Sequence, residues 1–224
     1  QVDVGQLRGC LTLGEVLRAS GYRTLMSGKW HQSGRPDQRG FERYYGLLSG
    51  CSNHFNPGLK RPGEPFPGKK FAGDEPAFFV DGRVVQPFTP GKAFYSTDAF
   101  TDRAINFVKE WHEEPDRPFF LFLSYTVPHY PLHAPAADIA KYRGRYLAGW
   151  DRLREQRLQR MRKLGLINPA WKLSQRSRHA PSWESIGNKP HWDLKMAVYA
   201  AMVDRMDRNI GRVMKTLREL EAYD

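Results

Sequence analysis

The 224-residue sequence holds only two cysteines, Cys10 and Cys51. They can form one bridge at most, so a core rather than a disulfide framework has to hold the fold. No apolar run approaches the ~18 residues that read as a membrane helix, and no signal-peptide pattern opens the chain. The first residue is Gln1 rather than Met, which leaves room for a leader or a whole preceding segment. Internal repeats are absent. Acidic residues are also scarce: 24 Asp and Glu against 35 Lys and Arg give a net charge of +11 and a calculated pI near 9.8. Nearly all of that excess is local. Between Ile139 and Ser182 twelve Lys or Arg face only Asp151 and Glu155. Such a balance points to nucleic acid, an anionic surface or a polyanionic substrate as partner. Few aromatics interleave these arginines, which argues against a platform for single-stranded nucleic acid.

What is present is 40% hydrophobic and 13% aromatic, the composition of a globular chain long enough to bury a core. The most informative stretch is Pro118 to Pro135, PFFLFLSYTVPHYPLHAP. Phe119 to Tyr125 is a continuous apolar run of strand length, expected to be buried on both faces in the middle of a helix-covered sheet. Pro128, Pro131 and Pro135 forbid a regular continuation, so a stiff loop carries His129 and His133 away from the strand's carboxyl end. Reactive groups of open α/β sheets gather at that end.

Upstream, Thr12-Leu-Gly-Glu15 predicts a capping box opening a helix over 13–20 with Leu13, Val16 and Leu17 as its apolar stripe. Tyr22 to Ser27 reads as a strand, followed by Gly28-Lys29-Trp30-His31. Gly34 to Gly91 is rich in Gly and Pro and predicts a long packed excursion, regular only in a hairpin of Phe78–Val80 and Val84–Phe88 across Asp81-Gly82. Ser96, Thr97 or Asp98 can cap a helix that ends near Glu114-Pro115, with Phe100, Ala104, Phe107, Val108 and Trp111 on one face. Roughly helical spacing covers 146–164 in the basic segment. A longer helix carries Met196, Tyr199, Val203, Met206, Ile210, Val213, Leu217 and Leu220, expected as core packing. Asp204 and Asp207, three apart on it, are flanked by Arg205 and Arg208 and read as a salt-bridged face rather than paired catalytic acids.

On an extended segment Lys29 and His31 point the same way. A Lys fixes an anionic oxygen and a His moves a proton, so these two with His129 describe hydrolysis or transfer at a phosphate or sulfate group, unless GKWH is only a turn around a packed Trp30. Four blocks, TLGEVLRASGYRTLMSGKWH, RGFERYYG, PFFLFLSYTVPHYPLHAP and YAAMVDRMDRNIGRV, resemble the sulfatase family in that family's order, in particular the arylsulfatase type of the alkaline-phosphatase-like superfamily. The resemblance implies an alkaline-phosphatase-like sandwich, a mixed and mostly parallel sheet flanked by helices, spanning 1–224 as a partial catalytic domain incomplete at both ends. It also implies that Lys29, His31 and His129 contact the sulfate ester and its nucleophile. His133, Asn53, Arg154 and Arg157 are further candidates for substrate contact, with Ser49 and His54 at the pocket rim.

The departures from the family pattern are equally specific. The family nucleophile is a formylglycine made in a C/S-x-P-x-R motif, but Cys10 is followed by Leu-Thr-Leu and Cys51 by Ser-Asn-His. The family's divalent metal, usually calcium, is held by acidic pairs expected before and after this chain, so no metal ligand is assigned within it. The expectation is therefore an internal fragment of a sulfate-ester hydrolase, inactive by itself, from a periplasmic or secreted enzyme. Its substrate would be a sulfated small molecule or a sulfated polysaccharide. Rival readings are a phosphate or phosphonate monoester hydrolase of the same superfamily and a non-catalytic polyanion-binding module. The basic stretch 139–182 is expected to be a helical insertion or lid that recognises a polyanion.

Overall fold

A computed structural model describes residues 9–64, 77–80, 82–113 and 115–223. They form two compact units, Gln1–His133 with Val203–Asp224, and Ala134–Met202.

The first unit is built on a five-stranded sheet in the order β4-β3-β2-β1-β5. Its strands are β1 (Arg23–Gly28), β2 (Arg43–Leu47), β3 (Phe78–Val80), β4 (Arg83–Val85) and β5 (Phe119–Ser124). β1 runs parallel to both β2 and β5, whereas β2, β3 and β4 pair antiparallel, so the sheet is mixed. The expected hairpin is present as β3 and β4, although Asp81 of its turn lies outside the described residues, as does Glu114 after the following helix.

Alternating side chains give the sheet two apolar faces. On one, Leu25, Tyr45, Leu47 and Phe78 pack with Phe100 and Phe107 of helix α2 (Ser96–Glu113). On the other, Met26, Tyr44 and Phe79 pack with Trp30 and Phe41. Helix α1 (Leu13–Ala19) starts at the expected capping box, with Glu15 N donating to Thr12 Oγ1 at 3.1 Å and Thr12 N to the Glu15 carboxylate at 2.7 Å. β2, β1 and β5 approach so closely that two positions admit no side chain. A Cβ at Gly28 would sit 1.9 Å from the Ser124 carbonyl oxygen, and one at Gly46 would sit 1.8 Å from that of Gly28.

Four expectations are corrected here. β5 is an edge strand of this sheet rather than its middle: among the described residues it pairs only with β1, none of its six residues is fully buried, and Phe122 is 41% exposed. The strand covered on both faces is β1. β2 interrupts the Gly- and Pro-rich excursion that read as irregular, its pattern shortened to five residues and broken by Gly46. In α1 the face toward the fold is carried by Gly14, set against Phe41, while Leu13 and Val16 are exposed. Of the expected caps of α2, Ser96 is spent on a histidine described below and Asp98 on Arg205 and Asn209 of the last helix, and the Thr97 hydroxyl is buried without a hydrogen-bond partner among the described residues.

That last helix, α5, spans Lys189–Glu219 and contributes to both units. Half of its expected core stripe is outside: Met196, Tyr199, Val203 and Ile210 are exposed, Met206, Leu217 and Leu220 are half-buried and Val213 is buried, while Ala197, Ala201, Met202, Asn209 and Thr216 are buried beside it. Asp204 pairs with Arg208 at 3.4 Å, as a salt-bridged face requires.

The second unit contains α3 (Ala136–Ala140), α4 (Trp150–Lys163) and the start of α5. Trp150 packs edge-on against Trp183 and Trp192, at 4.9 and 5.8 Å between ring centroids. The buried Asp193 carboxylate accepts from the amides of Gly144 and Tyr146 at 2.9 and 3.0 Å, which ties α5 to the chain leading into α4. α4 buries none of its residues.

Candidate active site

β1 and β5 end in register, Gly28 opposite Ser124, and the first residue past β1 continues the ladder: Lys29 N donates to the Ser124 carbonyl at 2.7 Å. Past β2, Trp30 N and His31 N donate to the carbonyls of Leu47 and Leu48 at 2.9 and 3.2 Å. The loops after three parallel neighbours therefore leave from one end of the sheet, with Lys29 and His31 after β1, Asn53 and His54 after β2, and His129 and His133 after β5. This is the carboxyl end at which α/β sheets bind ligands.

The GKWH segment is not extended. His31 has φ +56°, so backbone curvature rather than strand alternation sets the direction of its ring. Trp30 is buried, its indole nitrogen donating to Gly34 O at 3.1 Å, and it anchors the turn from inside while Lys29 is half-buried and His31 exposed. The His31 ring lies over Gly50, where a Cβ would come within 2.8 Å of Nε2. His129 is exposed, and its Nδ1 lies 2.5 Å from the Tyr130 carbonyl. A carbonyl only accepts, so Nδ1 carries the proton and Nε2 is the nitrogen left to exchange one with a ligand.

Behind these residues is a buried histidine to which the sequence lent little weight. His54 is 2% exposed. Its Nε2 donates to the His129 carbonyl at 3.3 Å, which leaves Nδ1 to accept from Ser96 Oγ at 2.9 Å, with Thr126 Oγ1 at 3.3 Å. The backbone closes the same link, Ser96 N donating to His54 O at 2.8 Å. Burial, aided by the neighbouring His133 and His129, pushes the His54 imidazole down to about 4, so it is neutral around pH 7. His54 thus ties the loop after β2 to the start of α2 and to the loop carrying His129. Those partners are 42 and 75 residues away in sequence, too far for any local spacing to reveal.

His133 belongs to the same cluster, 6.1 Å from the His54 ring and 6.2 Å from Phe55, while Tyr95 OH donates to its carbonyl at 3.0 Å. Burial lowers its pKa as well, and its Nδ1 is buried without a hydrogen-bond partner among the described residues. Asn53 is buried, and its side-chain oxygen accepts from the amides of Phe55 and Asn56 at 2.9 and 3.2 Å, which occupies that oxygen in a turn. Arg154 and Arg157 are in the second unit. Arg154 donates to Ser174 O and Oγ at 2.7 and 3.1 Å, and Arg157 is exposed.

Among the described residues no group of three His, Cys, Asp or Glu side chains is placed to hold a metal ion. The cluster at the sheet's carboxyl end offers nitrogen donors and a cation, where calcium takes oxygen ligands. Cys10 and Cys51 are both free thiols in the structure.

The structure thus carries Lys29, His31 and His129 in the loops at one end of a parallel pair of strands. The sulfatase family model matches residues 2–224. An uncharacterised sulfatase of Schizosaccharomyces pombe is 38% identical over 225 residues, covering 95% of this chain and 38% of its own length. An arylsulfatase of Klebsiella aerogenes is 32% identical over 219 residues, covering 93% of this chain and 43% of its own. The chain thus spans less than half the length of these relatives. Among solved structures, Ps i-CgsB in complex with k-i-k-neocarrahexaose superposes with a TM-score of 0.59 at 25% identity, over 94% of this chain and 37% of that one. With a mixed sheet flanked by helices and structural neighbours that are sulfatases, the fold is alkaline-phosphatase-like. The chain belongs to the sulfatase family.

Proposed function

We propose that this chain supplies the anion-binding and proton-transferring side of a sulfate-ester hydrolase. The observation that carries the reading is the register of β1 and β5, which brings Lys29, His31 and His129 to one end of one parallel pair. The Lys29 ammonium binds a sulfate oxygen and balances the charge that grows on it in the transition state. His31, aimed by its left-handed backbone, adds a second donor to the same anion. As an imidazolium, with Nδ1–H held by the Tyr130 carbonyl, His129 gives the Nε2 proton to the departing alcohol oxygen as the sulfur–oxygen bond breaks and is left neutral. Among the described residues no set of side chains fits calcium, and the sequence holds no C/S-x-P-x-R motif for a formylglycine, so none of these steps runs through them.

A relative named N-acetylglucosamine-6-O-sulfatase and a neighbour crystallised with a neocarrahexaose support a sulfated saccharide as the substrate class. The test is made in the longer protein. Lys29→Ala should lower kcat/KM for an aryl sulfate by roughly 100-fold or more, the scale of losing one preorganised donor, with the melting transition retained. Lost activity together with an equally lost melting transition would assign GKWH to structure alone. Greater turnover of a phosphate than of a sulfate ester would move the substrate to phosphate.

A further inference from the structure

The positive charge of α4 is divided between two faces, with the exposed Arg157 apart from both. Asp151, Arg154 and Arg162 are on the side that holds the following segment. The Asp151 carboxylate accepts from Arg176 at 3.0 Å and from Trp183 N at 3.1 Å, Arg154 donates to Ser174, and Arg162 to the Trp171 carbonyl. Arg152, Gln156, Gln159, Arg160 and Lys163 are on the other side. Their spacing of four, three, one and three residues confines them to about 100° of arc, and they run about 16 Å along the axis. All five are exposed, and among the described residues no side chain of the five makes a hydrogen bond or ion pair. No acidic residue stands three or four positions from Arg160 or Lys163, so nothing on the helix itself neutralises them.

We propose that this stripe is a binding site for a linear sulfated polysaccharide lying along α4. The guanidinium groups of Arg152 and Arg160 and the ammonium of Lys163 take sulfate groups, and the amides of Gln156 and Gln159 between them take sugar hydroxyls, as donors and acceptors both. Cations at the two ends of the stripe with two amides between them suit a polymer that carries both sulfate and hydroxyl groups. The stripe has no aromatic residue on which bases could stack and no apolar residue to enter a lipid surface. Preference for a sulfated glycan over other polyanions rests on the sulfatase reading; the charge division does not. Arg154, committed to Ser174, belongs to the scaffold of this site and not to its contact surface.

Binding of the 224-residue chain to a size-defined carrageenan-type oligosaccharide, titrated at several salt concentrations, tests the proposal without any turnover. The triple variant Arg152→Gln, Arg160→Gln, Lys163→Gln should bind at least about 10-fold more weakly. Its log–log salt slope should fall by about 2 to 3, close to one per lost cation. The charge-matched control Arg83→Gln, Lys92→Gln, Lys109→Gln, all exposed and in the first unit, should bind like the parent. Equal weakening in both variants would reduce the effect to net charge and overturn the site. Equal binding of the desulfated oligosaccharide, or equally tight binding of duplex DNA of the same charge, would overturn the occupant. If the sulfatase reading were the one to fail, the stripe would still bind while the longer protein left aryl sulfates intact.

Discussion

At the scale of single residues the decisive contact is made by His54, whose neutral imidazole joins three segments that converge only in the fold. In the unfolded chain its pKa returns to the ordinary value of about 6.5, while the folded value is about 4. Between these two values the unfolded state binds a proton that the folded state refuses, so stability falls as pH falls. Above pH 6.5 both states are neutral and the full contribution is present; below pH 4 both are charged and no more is lost. The window is worth on the order of 3 kcal/mol at about 1.36 kcal/mol per unit. His133, lowered by the same burial, adds in the same direction. Urea unfolding of the chain between pH 7 and pH 4 should show this loss, and His54→Gln should flatten it. An equal pH dependence in that variant would place the titration elsewhere. In the longer protein His54→Gln should also lower kcat for an aryl sulfate more than it raises KM, since His54 acts on the His129 backbone and not on the substrate.

At the scale of elements, the close approach of β2, β1 and β5 is what sets Lys29 beside the loop of His129. Gly46→Ala would drive a methyl group into the Gly28 carbonyl and Gly28→Ala one into that of Ser124, both from positive φ. Each should destabilise the chain by on the order of 3 kcal/mol or more, read as a fall in the urea midpoint. A midpoint within error of the parent would mean that the three strands are not held at this distance. Local signals made several elements legible: the Thr12–Glu15 box, the Gly28 strand end, the apolar face of α2 and the proline loop after β5. Others were hidden for a physical reason. An apolar pattern records that a surface is to be covered, not which neighbour covers it. Thus β5 read as central though among the described residues only β1 pairs with it, and the α5 stripe read as core though Met196, Tyr199, Val203 and Ile210 face solvent in this chain. β2 was obscured because Gly46, which its packing demands, is a poor strand former.

At the scale of the whole molecule, charge and chemistry are separately legible. The family blocks brought Lys29, His31 and His129 to the reader in order, because each follows a strand end that composition marks. His54 was almost invisible, because its role is defined by burial and distant partners. The basic segment was visible as a sum, but only the helix geometry separates arginines that hold the second unit together from those that are unpaired. The same separation governs what the chain can do alone. Hydrolysis of a sulfate ester requires a nucleophile at sulfur and compensation for charge on its oxygens. In the proposed reading Lys29 and the histidines meet part of the second requirement, whereas the C/S-x-P-x-R nucleophile motif is absent from these 224 residues and no acidic cluster for a metal occurs among the described ones. Loss of a nucleophile from a concerted catalytic set costs on the order of 10⁶ in kcat, more than a lysine and two histidines can offset at about 10²–10⁴ for acid–base assistance. The purified 224-residue chain should therefore show no turnover of an aryl sulfate above background, while still binding sulfated glycan through α4. Turnover that disappears on His129→Ala would show that the chain holds its own nucleophile and that this division of roles is wrong.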